Sequence, residues 1–510
     1  MLTPTLYFKE MLIPSFSILL PSLLLLLPPI FIILKRIKSP SSKKLPLPPG
    51  PNPWPILGNL LQIGQNAHIS ITQFANIYGP LISFKLGAQR LVVASSPAAA
   101  TAVLKTQDHL LSARYIFQIT PDRALHDQHS LVFSSECGDV WKKLRSICKV
   151  NLFTAKAIES QAILREKKMK ELVEFVESKQ GSVVEIKDFV FTSAFNILSN
   201  LIFSMDLLDF VGDGFNGIKG PFKKMMDLGL TPNLADFYPL LRRFDLQGLI
   251  RKTVIYKNEV NSVWGILIKE RREIRCEKGS ASNDFLDVLI QSGFSDQQID
   301  ALIIELLFAA TDTTTTTVEW AMSEILKDKD ILNKAREEIK KVAKESPAID
   351  ESNISKLQYL WSCVKETLRL HPPVPFLLPR LAPMDCEVMG YSIPKDSMIF
   401  VNVWGIGRDP SIWEDSQTFN PERFDVGCGN NVDFKGYDYR YLPFGGGRRI
   451  CPGLPMAIVQ VPLILATLLH NFEWSLPNGE DLSKLDLNGR LGVTLQKYET
   501  LKLIPKRRLV

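Results

Sequence analysis

The ten residues Phe444-Gly445-Gly446-Gly447-Arg448-Arg449-Ile450-Cys451-Pro452-Gly453 constrain this chain more than any other stretch. They set one cysteine on a glycine-rich loop just before an apolar, helix-like run. Glycine has no Cβ, so the backbone can approach a flat macrocycle closely. The first amides of the following helix point at the sulfur, hydrogen-bond it and favour its thiolate. This is how an iron ligand is displayed. Arg449 adds a planar cation suited to a carboxylate on the rim of such a macrocycle. A lone cysteine is usually a small buried hydrophobe, but the full spacing Phe-x-x-Gly-x-Arg-x-Cys-x-Gly argues against that fate here.

A chain of 510 residues, 45% of them hydrophobic, can bury a large core. Its net charge of +6 comes almost wholly from Lys35, Arg36, Lys38, Lys43 and Lys44, so the rest lacks the basic stripe that a nucleic-acid-binding face needs. The seven cysteines are odd in number, scattered and free of any Cys-x-x-Cys pair, which speaks against a disulfide framework or zinc site and for a reducing compartment.

Residues 11–34 are apolar or hydroxylic throughout, long enough at about 1.5 Å per residue to cross a bilayer, although Pro14, Pro21, Pro28 and Pro29 would kink the helix. The cations follow this run and no small-residue cleavage site is evident, so it reads as an anchor and not as a cleaved signal. The positive-inside rule then keeps residues 35–44, and all that follows, in the cytosol. The organisation expected is a membrane anchor over 1–34, a basic and proline-rich semi-rigid linker over 35–51, and a body over 52–510. Within the body, residues 81–86 and 91–95 read as short strands around Gly87 and helical patterns dominate the remainder. The fold class is one large, mainly α domain with minor β.

The longest predicted helix starts at a capping box, Ser295 with Gln298, and runs to about Lys327. Its middle, residues 311–317, is Thr-Asp followed by five threonines, a polar, β-branched block that weakens helix propensity. An acid beside an alcohol in a long buried helix is a plausible proton supply for dioxygen activation. Glu366 and Arg369 stand at i and i+3 on one helical face, a spacing that by itself means only a surface ion pair.

Together these stretches resemble the cytochrome P-450 superfamily from the anchor to Gly453: the cysteine loop, Ala309-Ala310-Thr311-Asp312-Thr313 with Ala310 where the superfamily has glycine, Glu366-Thr367-Leu368-Arg369, Phe419-Asn420-Pro421-Glu422-Arg423-Phe424, and Trp141-x-x-x-Arg145. The resemblance implies a haem-thiolate monooxygenase fold behind an N-terminal transmembrane helix. It implies haem (iron protoporphyrin) as cofactor, with Cys451 as axial thiolate and metal ligand, and Phe444, Gly447, Gly453, Arg449, Trp141, Arg145 and Arg380 around the cofactor. It makes Glu366, Arg369 and Arg423 a buried structural triad and Asp312 with Thr313 the catalytic pair, and it puts Ala309, Ala310, Val374, Phe376 and Thr494 at the substrate pocket. No dinucleotide fingerprint is present, so electrons from NADPH would come through a separate cytochrome P-450 reductase, with a small-molecule substrate and O2 as reactants. The location implied is the endoplasmic reticulum membrane, single-pass, with the catalytic domain cytosolic.

Shorter stretches, among them residues 54–61, 111–115 and 405–410, are similar to a plant alkaloid-oxidising group that holds N-methylcoclaurine hydroxylases, aryl-coupling enzymes and littorine mutase. Benzylisoquinoline members usually carry Gly and Glu where this chain has Ala310 and Asp312, which favours a tropane ester of the littorine type as substrate. The alternatives are a benzylisoquinoline hydroxylase or aryl-coupling enzyme, a geraniol-like terpenoid hydroxylase, a haem enzyme that rearranges its substrate without a reductase, and a non-enzymatic haem carrier or sensor. The intact Asp312-Thr313 pair weighs against the last two. For a protonated amine substrate, Asp122 or Asp127 would supply the counter-charge.

Overall fold

The computed structural model describes residues 45–121, 123, 129–229, 231–278, 284–343, 349–425 and 432–508. The expected anchor, Asp122 and Asp127 lie outside these residues. Ten helices and six strands position the site: α1 (Ala67–Tyr78), α2 (Asp139–Cys148), α3 (Ala162–Ser178), α4 (Ile186–Phe203), α5 (Lys219–Gly229), α6 (Leu249–Lys278), α7 (Asp296–Lys327), α8 (Lys329–Ala343), α9 (Gln358–Leu370) and α10 (Leu454–Asn471), with β1 (Leu81–Leu86), β2 (Gln89–Ala94), β3 (Arg380–Leu381), β4 (Met398–Val401), β5 (Gly489–Leu491) and β6 (Leu495–Lys497).

The structure is mainly helical with minor sheet, as expected. The principal sheet runs β1-β2-β4-β3: β1 and β2 form an antiparallel hairpin, β4 lies parallel to β2, and β3 pairs antiparallel with β4. The first strand has the expected bounds, and the second starts two residues early, at Gln89 and not at Leu91. Strand β3 is only two residues long, yet it fixes Arg380 in the middle of the body.

Among the described residues three helices, α4, α7 and α10, are long and apolar enough to cross a membrane, but 78%, 67% and 72% of their apolar windows are covered by protein. Helices hydrophobic on every side are core helices when other elements surround them, and that is their role. α7 packs on α4, α9 and α10. It begins at Ser295 with both halves of the capping box formed. The threonine block is helical, held by the packing around α7, and Thr313 and Thr317 donate their hydroxyls back to the carbonyls of Ala309 and Thr313, at 2.6 and 2.8 Å. Local bonds of this kind satisfy the hydroxyl without breaking the backbone ladder.

The proline-rich segment departs from the expected linker over 35–51. Ser83 on β1 donates its hydroxyl to Pro48 and its backbone N–H to Pro49, at 2.7 and 2.8 Å. A Cβ at Gly50 would meet the Ser83 carbonyl oxygen at 2.0 Å, so only glycine lets the segment lie this close to the sheet. Prolines have no N–H to offer, so the segment accepts hydrogen bonds along the edge of β1 and becomes part of the body.

Candidate active site

The cysteine loop takes its shape from Asp108. Gly447 has φ of 69°, and a Cβ there would sit 2.3 Å from the Leu104 carbonyl oxygen, so the loop closes down only on glycine. The next residue, Arg448, donates its backbone N–H to Asp108 at 3.0 Å, and Arg380 donates to the other oxygen of the same carboxylate at 2.9 Å. Cys451 then leads through Pro452 and Gly453 into α10, whose first amides, at Gly453 and Leu454, hydrogen-bond the sulfur. These amides and Arg145 favour the thiolate, as the sequence suggested. Burial outweighs them and the thiol's pKa ends above its ordinary value. Cys451 is thus enclosed by protein, yet it retains accessible surface, so it faces an interior cavity.

The mid-section of α7 shows the opposing wall. Ala309 is exposed and Ala310 and Thr313 are half-buried, although the helix around them is core. Positions i, i+1 and i+4 form one helical face, so this face borders open space inside the body. Val374 is half-buried as well. Two expected pocket residues are not in the wall. Phe376 is buried and stacks on Phe400 with ring centres 5.1 Å apart, and Thr494 is fully buried with its hydroxyl committed to Asp312.

Four arginines converge on one side of the cysteine loop. Arg449 donates to the carbonyls of Ser112, Leu131 and Ser134, and Arg145 donates to that of Ile450. Both guanidiniums lie over the Trp141 ring, 4.7 and 5.4 Å from its centre, while the Trp141 indole N–H donates to Leu131 at 2.9 Å. Arg380 reaches Asp108, and Arg114 pairs with it across an isolated β-bridge and donates to Leu378 at 2.7 Å. Among the described residues, Asp108 makes the one ion pair with these four guanidiniums. Burial, chiefly, and their mutual repulsion lower the pKa values of Arg114 and Arg449. A buried cluster of cations with so little counter-charge calls for anions from outside the chain. Two carboxylates on the edge of a flat macrocycle would supply them, with its metal facing Cys451. The donor set, with partly open faces at Cys451 and on α7, therefore fits haem.

Behind the cysteine loop, Glu366 and Arg369 form a bidentate pair at 2.6 and 2.7 Å, both fully buried, and Arg423 joins Glu366 at 3.0 Å. The spacing that by itself suggested a surface pair is an interior network. Arg369 uses its remaining donors on the carbonyls of Gly407, Ser416 and Thr418.

Asp312 and Thr313 are neighbours that point apart. Thr313 borders the cavity, whereas the Asp312 carboxyl is buried on the other side, accepting from Thr494 at 2.7 Å and from Gln496 at 3.3 Å. Burial raises its pKa, against hydrogen bonds from Thr494 and Gln496 and the charge of Lys187.

Sequence reasoning passed over Arg114, Asp108 and Glu305. Glu305 is the single charge in the apolar run from Ala301 to Ala310, and that contrast was the available signal. Its carboxylate accepts from the Ser130 hydroxyl and from the backbone N–H groups of Leu131 and Val132, the last two at 2.8 and 3.1 Å, so it fastens that loop to α7.

A cysteine thiolate presented to a cavity under a long helix, with cations ranged for two carboxylates, defines a haem-thiolate protein. Residues 48–502 match the family model described as cytochrome P-450. The chain belongs to the cytochrome P-450 family, whose members hold haem through a cysteine thiolate and act as monooxygenases. It is 48% identical to "Probable (S)-N-methylcoclaurine 3'-hydroxylase isozyme 2" of Coptis japonica, over 91% of this chain and 93% of the relative. It is 42% identical to corytuberine synthase of the same plant, over 91% and 94%, and 41% identical to geraniol 8-hydroxylase of Catharanthus roseus, over 90% and 94%.

Proposed function

We propose that this plant cytochrome P-450 oxidises an aryl-bearing alkaloid of the benzylisoquinoline class, by ring hydroxylation or aryl coupling. The observation that carries this reading is the similarity, over nine-tenths of the chain, to relatives named as N-methylcoclaurine 3'-hydroxylases and corytuberine synthase. It displaces the tropane-ester preference drawn from Ala310 and Asp312, since two residues weigh little against 48% identity over an aligned length of 466 residues. Geraniol 8-hydroxylase, at 41%, keeps a terpenoid alcohol as the second reading.

When bound, haem supplies the redox-active iron at which dioxygen is activated. In this reading Cys451 would hold the iron through its thiolate, and the Gly453 and Leu454 amides hydrogen-bond that sulfur. Arg114, Arg145, Arg380, Arg449 and Trp141 would receive the cofactor's carboxylates, with Phe444, Gly447 and Gly453 shaping the cysteine loop. Glu366, Arg369 and Arg423 keep the segment behind the loop in register. Thr313 holds a water or hydroxyl proton at the cavity face, and Asp312 is the carboxyl from which that proton is replaced. Ala309, Ala310 and Val374 form part of the substrate wall. The body, from the proline segment at 48 onward, would be tethered by residues 11–34 to the endoplasmic reticulum, facing an NADPH-dependent reductase in the same membrane.

Microsomes carrying the chain and a plant reductase test this. With NADPH, N-methylcoclaurine, a littorine-type ester and geraniol are offered in parallel. Oxidation of the benzylisoquinoline at the highest kcat/KM supports the reading, and oxidation of geraniol alone replaces it with the second.

A further inference from the structure

The hairpin β5–β6 reaches α7 at its buried acid, and the contact is more than packing. The Thr494 hydroxyl, fully buried, donates to one oxygen of Asp312 at 2.7 Å. The Gln496 amide donates to the other at 3.3 Å and to the Thr494 oxygen at 3.3 Å. From α4, the half-buried Lys187 donates to the Gln496 carbonyl at 2.8 Å. Both carboxylate oxygens are thus engaged from the hairpin side, away from Thr313.

We propose that Thr494 and Gln496 are positioning residues for Asp312: they hold its carboxyl on the hairpin side of α7 and, together with Lys187, set whether it carries a proton. The proposal rests on the reading of Asp312 as a proton carrier given above. Thr494 has one hydroxyl proton and two lone pairs. While Asp312 is ionised, that proton is committed to it, and Thr316, 3.4 Å from Thr494, acts as donor. Once Asp312 is protonated it can donate to Thr494, whose own proton then turns to Thr316. The hairpin therefore accommodates both states of the acid by reversing hydrogen bonds, with no movement of the backbone. The charged groups that face Asp312 are Lys187 from α4, which favours the ionised form, and Asp227 from α5, which opposes it. The hairpin itself contributes neutral donors.

The test is a pH titration of the protonated-carboxyl infrared band in the purified holoprotein, the band being assigned by its loss in Asp312→Asn. Removing a donor to the ionised form raises the midpoint. Thr494→Val and Gln496→Leu should each move it up by about one pH unit, Thr494→Ser should restore it, and Lys187→Gln should move it the same way by less. Midpoints unchanged in both Thr494→Val and Gln496→Leu overturn the proposal. Lys187 is on the periphery, so its variant gives a reading even where a hairpin variant fails to hold haem. Product formed per NADPH, followed against pH in the same proteins, separates the two ideas. If the midpoint moves and the coupling profile moves with it, both stand. If the midpoint moves and the profile does not, Thr494 and Gln496 do position Asp312, and its role as proton carrier falls.

Discussion

The two walls of the cavity are built on different principles. On the cysteine side, charge is fixed: Glu366 meets two arginines in the interior, Asp108 meets the loop amide of Arg448 and the guanidinium of Arg380, and four further cationic or indole groups aim at one edge. On the α7 side, charge is adjustable: Asp312 and Glu305 are buried acids whose pKa values burial has raised, each held by donors from a remote segment. In the function proposed above, the first wall would hold the cofactor and the second would carry the proton supply. The difference lies in what pairs with each acid: Glu366 is bonded bidentately to a guanidinium, whereas Asp312 and Glu305 are bonded to hydroxyls and amides, and burial raises their pKa values.

The largest effect that could break this contrast is at the loop itself. Cys451→Ala should abolish the red-shifted Soret band of the reduced carbon monoxide complex, since no other described cysteine sits in a comparable glycine-rich loop. A normal band would dissolve the distinction between the walls.

Next comes Glu366→Ala, which leaves Arg369 and Arg423 buried without their carboxylate. A loss of about 3–5 kcal/mol is expected. Urea unfolding of the holoprotein, with haem release followed in parallel, measures it; a loss below about 1 kcal/mol would show that the fixed wall is held by packing instead.

The smallest effect sharpens the adjustable side. Burial, above all, carries the Glu305 carboxyl from its ordinary 4.5 to about 7. Because the folded value lies above the unfolded one, its contribution to stability is complete below about pH 4.5 and is lost as the pH rises through about 7. At about 1.4 kcal/mol per pKa unit this loss is at most about 3.5 kcal/mol. Glu305→Gln should flatten that part of the profile: less stable than the parent near pH 5, where the parent keeps its bonds to Ser130, Leu131 and Val132, and level with it or better near pH 8. Thermal unfolding from pH 4.5 to 8 checks this, and parallel curves for the two proteins would count against it.

What could be read from the sequence follows the same division. The cysteine loop, the Ser295 capping box and the Glu366–Arg369 spacing are local patterns whose geometry is set within ten residues, and each appears where expected. The bond from Thr494 to Asp312 spans 182 residues, and those from the loop at 130–132 to Glu305 span about 175. No periodicity in either segment announces its partner, so Thr494 read as a pocket residue and Glu305 as part of an apolar run. Arg380 was identified and Arg114 was not, because the pair is made by a single isolated bridge between stretches that show no strand pattern at Arg114.

Arg369 has five N–H donors, and five bonds account for them: two to Glu366 and one each to Gly407, Ser416 and Thr418. Those three carbonyls belong to an irregular stretch that precedes the cysteine loop, and they gain this buried partner only when α9 presents its guanidinium. Lysine, with three donors on a point charge, could not serve all of them. One side chain thereby couples three segments: the placement of the irregular stretch, and through it that of the loop that follows, depends on the docking of the helix.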